Sequence, residues 1–258
     1  MNYFLNKDLK ISTLEKISRY EIINFLQKKN DNIGIELGVA KGDFSKKLIE
    51  NNTFKFFFGV DSYSDFEEDL YGPDSHNEEQ YKFALKNIGI RSNYNLLRMD
   101  FDNALDLFED NYFDFIYIDG FASTGQNGGK ILVDWFSKLK IGGIFAGDDY
   151  HEDFSLNKKV VDDFSIKIKA KLNITGSLKE NNNYSQYPSW FLIKEKNVHV
   201  ETNINYINIA KKEERKLLKF RKGKINLYKR LFKKKLILYL KKINLYYFLK
   251  KIFKFFIK

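Results

Sequence analysis

The feature that most constrains the fold is a regular alternation, from Ile33 onward, of short apolar runs with amphipathic stretches. This pattern is typical of repeated strand and helix units that build a mostly parallel sheet. We therefore expect a Rossmann-like, doubly wound α/β domain with a seven-stranded sheet. Its strands are predicted at Ile33–Leu37, Phe56–Val60, Tyr94–Arg98, Phe113–Ile118, Gly143–Ala146, Leu172–Thr175 and Trp190–Ile193.

Helices are predicted between these strands, where apolar residues recur every three or four positions. Residues 2–29 are interpreted as one or two leading helices. The segment Ser62–Asn77 lacks apolar periodicity and carries several acidic residues, so it is predicted to form a loop or lid. The later helices are predicted at Asp43–Glu50, Asn77–Ile88, Asn103–Phe108, Lys130–Leu139 and Lys158–Lys169.

The composition excludes several classes of function. The 258 residues include no cysteine, which rules out disulfides, thiolate zinc sites and a cysteine nucleophile, and which fits a reducing cytoplasm. No signal-peptide pattern is found, and no apolar run approaches the ~18 residues of a spanning helix. We therefore expect a cytoplasmic protein, and the sequence leaves its oligomeric state open.

The net charge of +10 is divided unevenly along the chain. Residues 211–258 contain 19 Lys and Arg against two Glu, a balance of +17, whereas residues 1–210 contain 25 basic and 32 acidic residues. Such asymmetry is typical of an appendage that meets an anionic surface. We predict an acidic domain over residues 1–210 and a basic tail over residues 211–258.

A glycine turn follows the first predicted strand. Loops at the carboxyl ends of parallel strands line the ligand crevice, and Gly38 and Gly42 either let a ligand approach the backbone or simply pack strand against helix. Asp43 is predicted to cap the next helix. Glu36 stands where a dinucleotide-binding turn has its first glycine, and a carboxylate there would repel a diphosphate.

An acidic residue, Asp61, ends the second strand about twenty residues beyond the turn, a position suited to ribose hydroxyls. With Gly38 and Gly42, it predicts an adenosine ligand without a diphosphate, for which S-adenosylmethionine is the candidate. Asp100 follows the third strand. It is interpreted either as a contact to the adenine amino group or as the cap of the following helix.

These segments resemble class I S-adenosylmethionine-dependent methyltransferases. The chain is most similar to methyltransferase domain family 24, which includes metal-assisted O-methyltransferases of sugars and antibiotics. The resemblance covers roughly residues 30–150, through Ile35–Gly42, Gly59–Asp61, Phe115–Gly120 and Leu139–Tyr150. It implies the fold and the cofactor, with Glu36 among the cofactor-binding residues, but it does not imply a particular substrate.

Three carboxylates are predicted to converge beyond the fourth and fifth strands, where Asp119, Asp148 and Asp149 would repel one another without a cation. Hard oxygen ligands suit Mg²⁺ or a similar divalent ion. The resemblance implies that these residues hold a metal that binds two substrate hydroxyls, and such an ion would lower the pKa of a bound hydroxyl. The alternative is that Asp148 or Asp149 only caps a turn.

One position departs from the family pattern. Relatives often have a histidine as candidate base two residues after the Asp-Gly pair, but Ala122 stands there in this chain. His151 is the predicted substitute, because histidine titrates near neutral pH, and His76 is a weaker candidate. We therefore assign catalytic roles to Asp119 and His151. Activation by metal alone, a different substrate and impaired catalysis are the alternatives.

The basic tail carries apolar residues at helical spacing opposite most of its lysines. A basic amphipathic helix with large aromatic residues favours peripheral attachment to the anionic cytoplasmic leaflet. Binding of RNA is the main alternative, because lysines and aromatics also bind phosphates and stack on bases. A helical hairpin that packs on the body or on another subunit is the third interpretation.

Three functions are consistent with the sequence. The first is O-methylation of a hydroxyl on a sugar, glycan or related metabolite, and the second is RNA methylation with the tail gripping phosphates. The third is a non-catalytic binding module. Asp119-Gly120-Phe121 stands in place of an Asn-Pro-Pro-Tyr-like motif, which disfavours nucleobase methylation. Retention of Asp61 and of the three crevice carboxylates disfavours the binding module.

Overall fold

The structure is a computed structural model that describes residues 9–27, 30–51, 53–63, 78–177 and 187–242. The strands in these ranges are β1 (Ile11–Leu14), β2 (Asn32–Leu37), β3 (Phe54–Asp61), β4 (Tyr94–Arg98), β5 (Phe113–Ile118), β6 (Leu139–Gly147), β7 (Leu172–Thr175) and β8 (Trp190–Ile193). The helices are α1 (Asp43–Glu50), α2 (Glu78–Ile88), α3 (Phe101–Leu105), α4 (Gly125–Gly128), α5 (Lys130–Phe136), α6 (Ser155–Ile168) and α7 (Ile204–Lys242).

The strands form one sheet in the order β1-β7-β8-β6-β5-β2-β3-β4. Strand β8 runs antiparallel to both of its neighbours, and all other adjacent pairs are parallel. The predicted doubly wound α/β fold is thereby confirmed. Because β6, β5, β2 and β3 are consecutive and parallel, the loops after them share one edge of the sheet.

The predicted leading helices are wrong within the described residues. Ile11–Leu14 form strand β1, which pairs in parallel with β7, and Arg19–Phe25 form a 3-10 helix. The β-branched residues of β1 favour an extended backbone, and the edge of β7 offers unpaired backbone groups to it. The sheet therefore has eight strands instead of seven.

The other predicted elements are present. Helix α1 and strands β4, β5, β7 and β8 have the predicted ends, and the remaining elements have shifted ends. Strand β6 begins at Leu139, four residues before its predicted start, because Leu139 is fully buried and pairs with Phe113. Helix α5 consequently ends at Phe136 instead of Leu139. Helices α3 and α6 begin earlier than predicted, at Phe101 and Ser155.

Apolar layers cover both faces of the sheet, because successive strand residues point to opposite sides. Phe115 and Tyr117 of β5 lie in one buried cluster, and Ile116 and Ile118 lie in the other. Helices α1 and α2 and the 3-10 helix pack on the first side, through Phe44, Leu48, Ala84, Ile88 and Ile22. Helices α5 and α6 pack on the second, through Leu132, Trp135, Val161 and Phe164.

The chain divides into two compact units, Met1–Glu214 and Arg215–Lys258. Helix α7 spans Ile204–Lys242, and the predicted tail residues after Lys242 lie outside the described ranges. Most of the predicted lid also lies outside them, since residues 64–77 are not described. No helix in the described part of the chain is long and apolar enough to cross a bilayer.

Candidate active site

The turn after β2 requires glycine at two positions. Gly38 has φ of +100°, and a Cβ added to it would lie 2.1 Å from the backbone carbonyl oxygen of Asp119. Gly42 has φ of +80° and occupies the N-cap of α1, so Asp43 is the first helical residue and the prediction that it caps α1 is wrong. The glycine turn therefore lies directly against the loop that carries Asp119.

The Asp61 carboxylate holds this turn in place. Its Oδ2 accepts hydrogen bonds from the backbone N–H groups of Val39 and Ala40, both at 3.0 Å, and its Oδ1 accepts one from Tyr63 at 3.0 Å. The Tyr63 hydroxyl donates in turn to the carbonyl of Ala40 at 2.8 Å. The Asp61 side chain is buried, with 3% of its surface exposed. The same carboxylate therefore holds the turn and is the group predicted to contact the ribose.

Glu36 lies beneath the turn and is almost completely buried. The Ser45 hydroxyl donates a hydrogen bond to its carboxylate, and the Tyr94 hydroxyl donates to Ser45 at 3.1 Å. Burial raises the pKa of Glu36 well above its ordinary value, although the bond from Ser45 acts in the opposite direction. The Glu36 carboxylate thus accepts a hydrogen bond from Ser45 under the turn. Its predicted role in binding the cofactor remains a prediction.

Asp100 occupies the N-cap position of α3, with φ of −70° and ψ of 154°. Its backbone carbonyl accepts the N–H of Ala104 at 3.0 Å, but its side chain makes no capping hydrogen bond within α3. The side chain is exposed at the same edge of the sheet as the glycine turn. It is therefore available for the predicted contact to the adenine amino group.

The three predicted crevice carboxylates lie near one another, and Arg19 is the cation that contacts two of them, Asp148 and Asp119. The Arg19 Nη1 lies 2.6 Å from Asp148 Oδ2 and 3.3 Å from Asp119 Oδ2. Arg19 is 6% exposed, the Asp148 side chain is 5% exposed and the Asp119 side chain is 26% exposed. Asp119 is therefore the more accessible carboxylate of the two that Arg19 contacts.

A buried hydrogen-bond chain continues from Asp148. Its Oδ1 accepts a bond from the Ser189 hydroxyl at 2.8 Å, and Ser189 Oγ lies 2.9 Å from the Tyr117 hydroxyl. Because Ser189 has a single hydroxyl proton and donates it to Asp148, Tyr117 is the donor to Ser189. Burial raises the pKa of Tyr117 well above its ordinary value, so the phenol stays protonated.

The predicted metal site does not fit this arrangement. Both carboxylate oxygens of Asp148 already accept hydrogen bonds, from Arg19 and from Ser189, and Asp119 shares the same guanidinium. A divalent ion bound by carboxylates would need these oxygens as direct ligands. Within the described ranges, no group of three or more His, Cys, Asp or Glu side chains is arranged to hold a metal ion.

Asp149 is the third carboxylate of the cluster. It has φ of +59°, in the left-handed region, and the Asn157 side-chain amide holds the turn by donating to the carbonyls of Asp148 and Asp149, both at 3.1 Å. Burial, together with the negative charges of Asp148 and Asp119, raises the pKa of Asp149 to about 8. The cluster therefore retains a proton near neutral pH.

His151 is placed at the margin of the cluster. Its Nδ1 accepts the backbone N–H of Asp153 at 3.2 Å, and its ring centroid lies 4.6 Å from that of Tyr187. This N-cap position orients the imidazole toward Asp153 and Tyr187. The predicted role of His151 as a base remains a prediction, and His76 lies outside the described residues.

Sequence reasoning missed Arg19 and Ser189. Only six of the 44 basic residues are arginine. The rarity of arginine in this lysine-rich chain was one signal that could have pointed to Arg19. Arginine is the residue suited to buried pairing with carboxylates, because its planar fork stays charged. Local sequence patterns offered no comparable signal for Ser189.

One comparison with known proteins agrees with the resemblance that the sequence predicts. Residues 35–150 match the model of methyltransferase domain family 24, described as a methyltransferase domain. This match supports a class I methyltransferase domain over residues 35–150, in agreement with the resemblance, and it supports S-adenosylmethionine as the cofactor of that domain. No curated protein sequence matches the chain.

Several solved structures are similar at low identity. Spermidine synthase from Thermotoga maritima is 13% identical, with a TM-score of 0.49 over 76% of this chain and 73% of that chain. Precorrin-6y C5,15-methyltransferase from Geobacter metallireducens is 16% identical, with a TM-score of 0.46 over 71% and 94%. An rRNA methylase from Streptococcus thermophilus is 12% identical, with a TM-score of 0.45 over 69% and 94%. Similarity this low does not identify an acceptor.

Replacement of Asp61 by alanine is expected to weaken cofactor binding and stability together. Three backbone N–H groups lose a charged acceptor, which costs roughly 1–3 kcal/mol, and the affinity for S-adenosylhomocysteine falls on the order of tenfold or more. Calorimetric titration and urea denaturation measure the two effects. Asp100→Ala, at an exposed side chain, should weaken binding without loss of stability. Unchanged affinity in folded Asp61→Ala would contradict this role.

The free energy of unfolding is expected to fall as pH rises from about 4 toward about 8. Asp149 and Glu36 have raised pKa values in the folded state, so the folded protein binds more protons than the unfolded chain in this window. Urea denaturation across this range measures the slope. Asp149→Asn should flatten it, because asparagine keeps the left-handed backbone but does not ionise. Exposed Asp106→Asn is the control, and an equal slope in Asp149→Asn would refute the assignment.

Proposed function

We propose that this methyltransferase transfers the methyl group of S-adenosylmethionine to a hydroxyl of a sugar, glycan or related metabolite. The observation that carries the proposal is the contact between the glycine turn and the carboxylate loop. The position of a Gly38 Cβ is 2.1 Å from the carbonyl oxygen of Asp119, so the cradle for the cofactor adjoins the acidic cluster. An acceptor at that junction meets both the methyl donor and a carboxylate.

The residues of this chain supply binding and proton transfer. Gly38 and Gly42 leave room for the cofactor, while Asp61 and Asp100 are suited to its ribose and adenine. Bound S-adenosylmethionine supplies an electrophilic methyl group. Asp119, partly exposed beside the turn, accepts the hydroxyl proton as the acceptor oxygen bonds to the methyl carbon and the carbon–sulfur bond breaks. The products are the methyl ether, S-adenosylhomocysteine and protonated Asp119.

Two alternatives keep specific support. His151 remains the second candidate for the base, since it lies two residues after the carboxylate pair and its ring is partly exposed. RNA is the alternative acceptor, with the strongly basic tail as its support. The acidic surroundings of the turn favour the neutral hydroxyl acceptor, because clustered carboxylates repel a phosphate backbone.

Asp119→Asn is expected to lower kcat on the order of a hundredfold or more, with little change in S-adenosylhomocysteine affinity, because it removes the proton acceptor. Release of S-adenosylhomocysteine is measured with free sugars, sugar nucleotides, lipid-linked glycans and total RNA as acceptors. Asp110→Asn, at an exposed carboxylate paired with Lys138 at 2.9 Å, is the matched control. Methylation of RNA alone, or full activity in Asp119→Asn, would overturn the proposal.

We further propose that residues 211–258 attach the enzyme to the anionic cytoplasmic leaflet, where lipid-linked glycan acceptors are available. Helix α7 continues through this region to Lys242, and its exposed apolar residues include Phe232, Leu236 and Tyr239. Their spacing of four and three residues puts them on one helical face. An apolar face on a helix of high positive charge is the pattern of an in-plane membrane binder.

Co-sedimentation of the full-length protein with vesicles tests the attachment. The protein is expected to bind vesicles that contain phosphatidylglycerol and not pure phosphatidylcholine, and high salt should weaken the binding. Substitution of Phe232, Leu236 and Tyr239 by serine keeps the charge and should abolish it. Phe220→Ser, off this face, is the control. Unchanged vesicle binding by the triple variant, or stronger binding to RNA than to vesicles, would contradict the membrane role.

A further inference from the structure

The carboxylate cluster has a cation that belongs to the chain itself. Arg19 Nη1 contacts the carboxylates of Asp148 and Asp119, at 2.6 and 3.3 Å, from a position that is 6% exposed. A buried arginine stays charged, and it matches carboxylates with a directed hydrogen-bond geometry. The electrostatic requirement of the cluster is therefore met, at least in part, by a residue of the N-terminal segment.

Aromatic rings also contact the guanidinium of Arg19. Its Cζ lies 4.7 Å from the ring centroid of Phe44, 5.4 Å from that of Tyr20 and 5.9 Å from that of Tyr117. Such cation–π contacts are strongest where water is excluded. Arg19 is thus fixed by rings as well as by carboxylates, unlike a side chain that swings in from solvent.

The backbone that carries Arg19 is anchored as well. Ser18 and Glu21 form a reciprocal capping box at the start of the 3-10 helix, and the Ser18 N–H donates to Glu21 at 2.8 Å. The Gly176 N–H donates to the carbonyls of Leu14 and Ile17, at 3.2 and 2.9 Å, which ties the end of β1 to the sheet. The segment therefore delivers Arg19 to one defined place.

We propose that Arg19 is the built-in cation of this active site, occupying the position that a divalent ion would need and holding Asp119 in place for the acceptor hydroxyl. Arg19 is a positioning residue that acts through Asp119. A divalent ion could reach Asp148 Oδ2 only by displacing the guanidinium. The inference concerns the cation of the cluster and stands apart from the identity of the acceptor.

Metal binding is the direct test, since it requires no substrate. Full-length wild-type protein, Arg19→Ala and Arg19→Lys are titrated with terbium, followed by luminescence excited through tyrosine, and with magnesium by calorimetry. Removal of the guanidinium takes a positive charge away from Asp148 and Asp119, so Arg19→Ala should bind terbium on the order of tenfold or more tightly than wild type. Arg91→Ala, at an arginine paired with Glu50, is the surface control.

The gain should disappear in the double variant Arg19→Ala with Asp148→Asn, an effect that a purely structural role of Arg19 would not produce. The Tm of the wild-type protein should stay within about 1 °C on addition of millimolar Mg²⁺ or chelator, because an ion stabilises the folded protein only if the folded protein binds it. Arg19→Lys should resemble wild type. If Arg19→Ala does not fold, the wild-type Tm and terbium titrations decide. Wild-type metal binding that is lost in Asp148→Asn, or no gain in folded Arg19→Ala, would overturn the proposal.

Discussion

The buried ion pair between Arg19 and Asp148 is the interaction on which the arrangement at the carboxyl ends of the strands depends. Removing two charges from water costs several kcal/mol per ion unless the geometry and the remaining hydrogen bonds compensate. Here Ser189 donates to the second oxygen of Asp148, and aromatic rings face the guanidinium. The pair spans 129 positions in sequence, so it couples the N-terminal segment to the end of β6.

The cofactor turn depends on a second buried carboxylate with a different kind of partner. Asp61 is compensated by backbone N–H groups, two from the turn itself and one from Tyr63. Those hydrogen bonds fix the backbone of the turn, so cofactor binding loses less conformational entropy than it would with a flexible turn. Because Gly38 touches the Asp119 loop, an ordered turn also fixes the distance between the cofactor cradle and the acidic cluster.

Local patterns were sufficient for the fold and for the positions of the candidate residues. Strand ends follow from apolar periodicity, and parallel pairing then brings Gly38, Asp61 and Asp119 to one edge without further information. Strand β1 was missed because its four residues become a strand only against the edge of β7. The sequence predicted a divalent ion at Asp119, Asp148 and Asp149, whereas the structure places the guanidinium of Arg19 against two of these carboxylates. The role of Arg19 was not predicted, because the residues around Arg19 in the sequence give no indication of its contact with Asp148, which lies 129 positions further along the chain.

The charge balance of the cluster bears on the kind of acceptor it suits. With the pKa of Asp149 raised to about 8, this carboxyl is largely protonated at neutral pH, while Asp119 and Asp148 share the single positive charge of Arg19. Among the described residues in contact with it, the cluster then keeps an excess negative charge beside the cofactor turn. A neutral hydroxyl gains a hydrogen bond to Asp119 there, whereas a phosphate group at that same position is repelled. The same excess charge stabilises the positive sulfonium of a methyl donor, so one arrangement favours both proposed reactants.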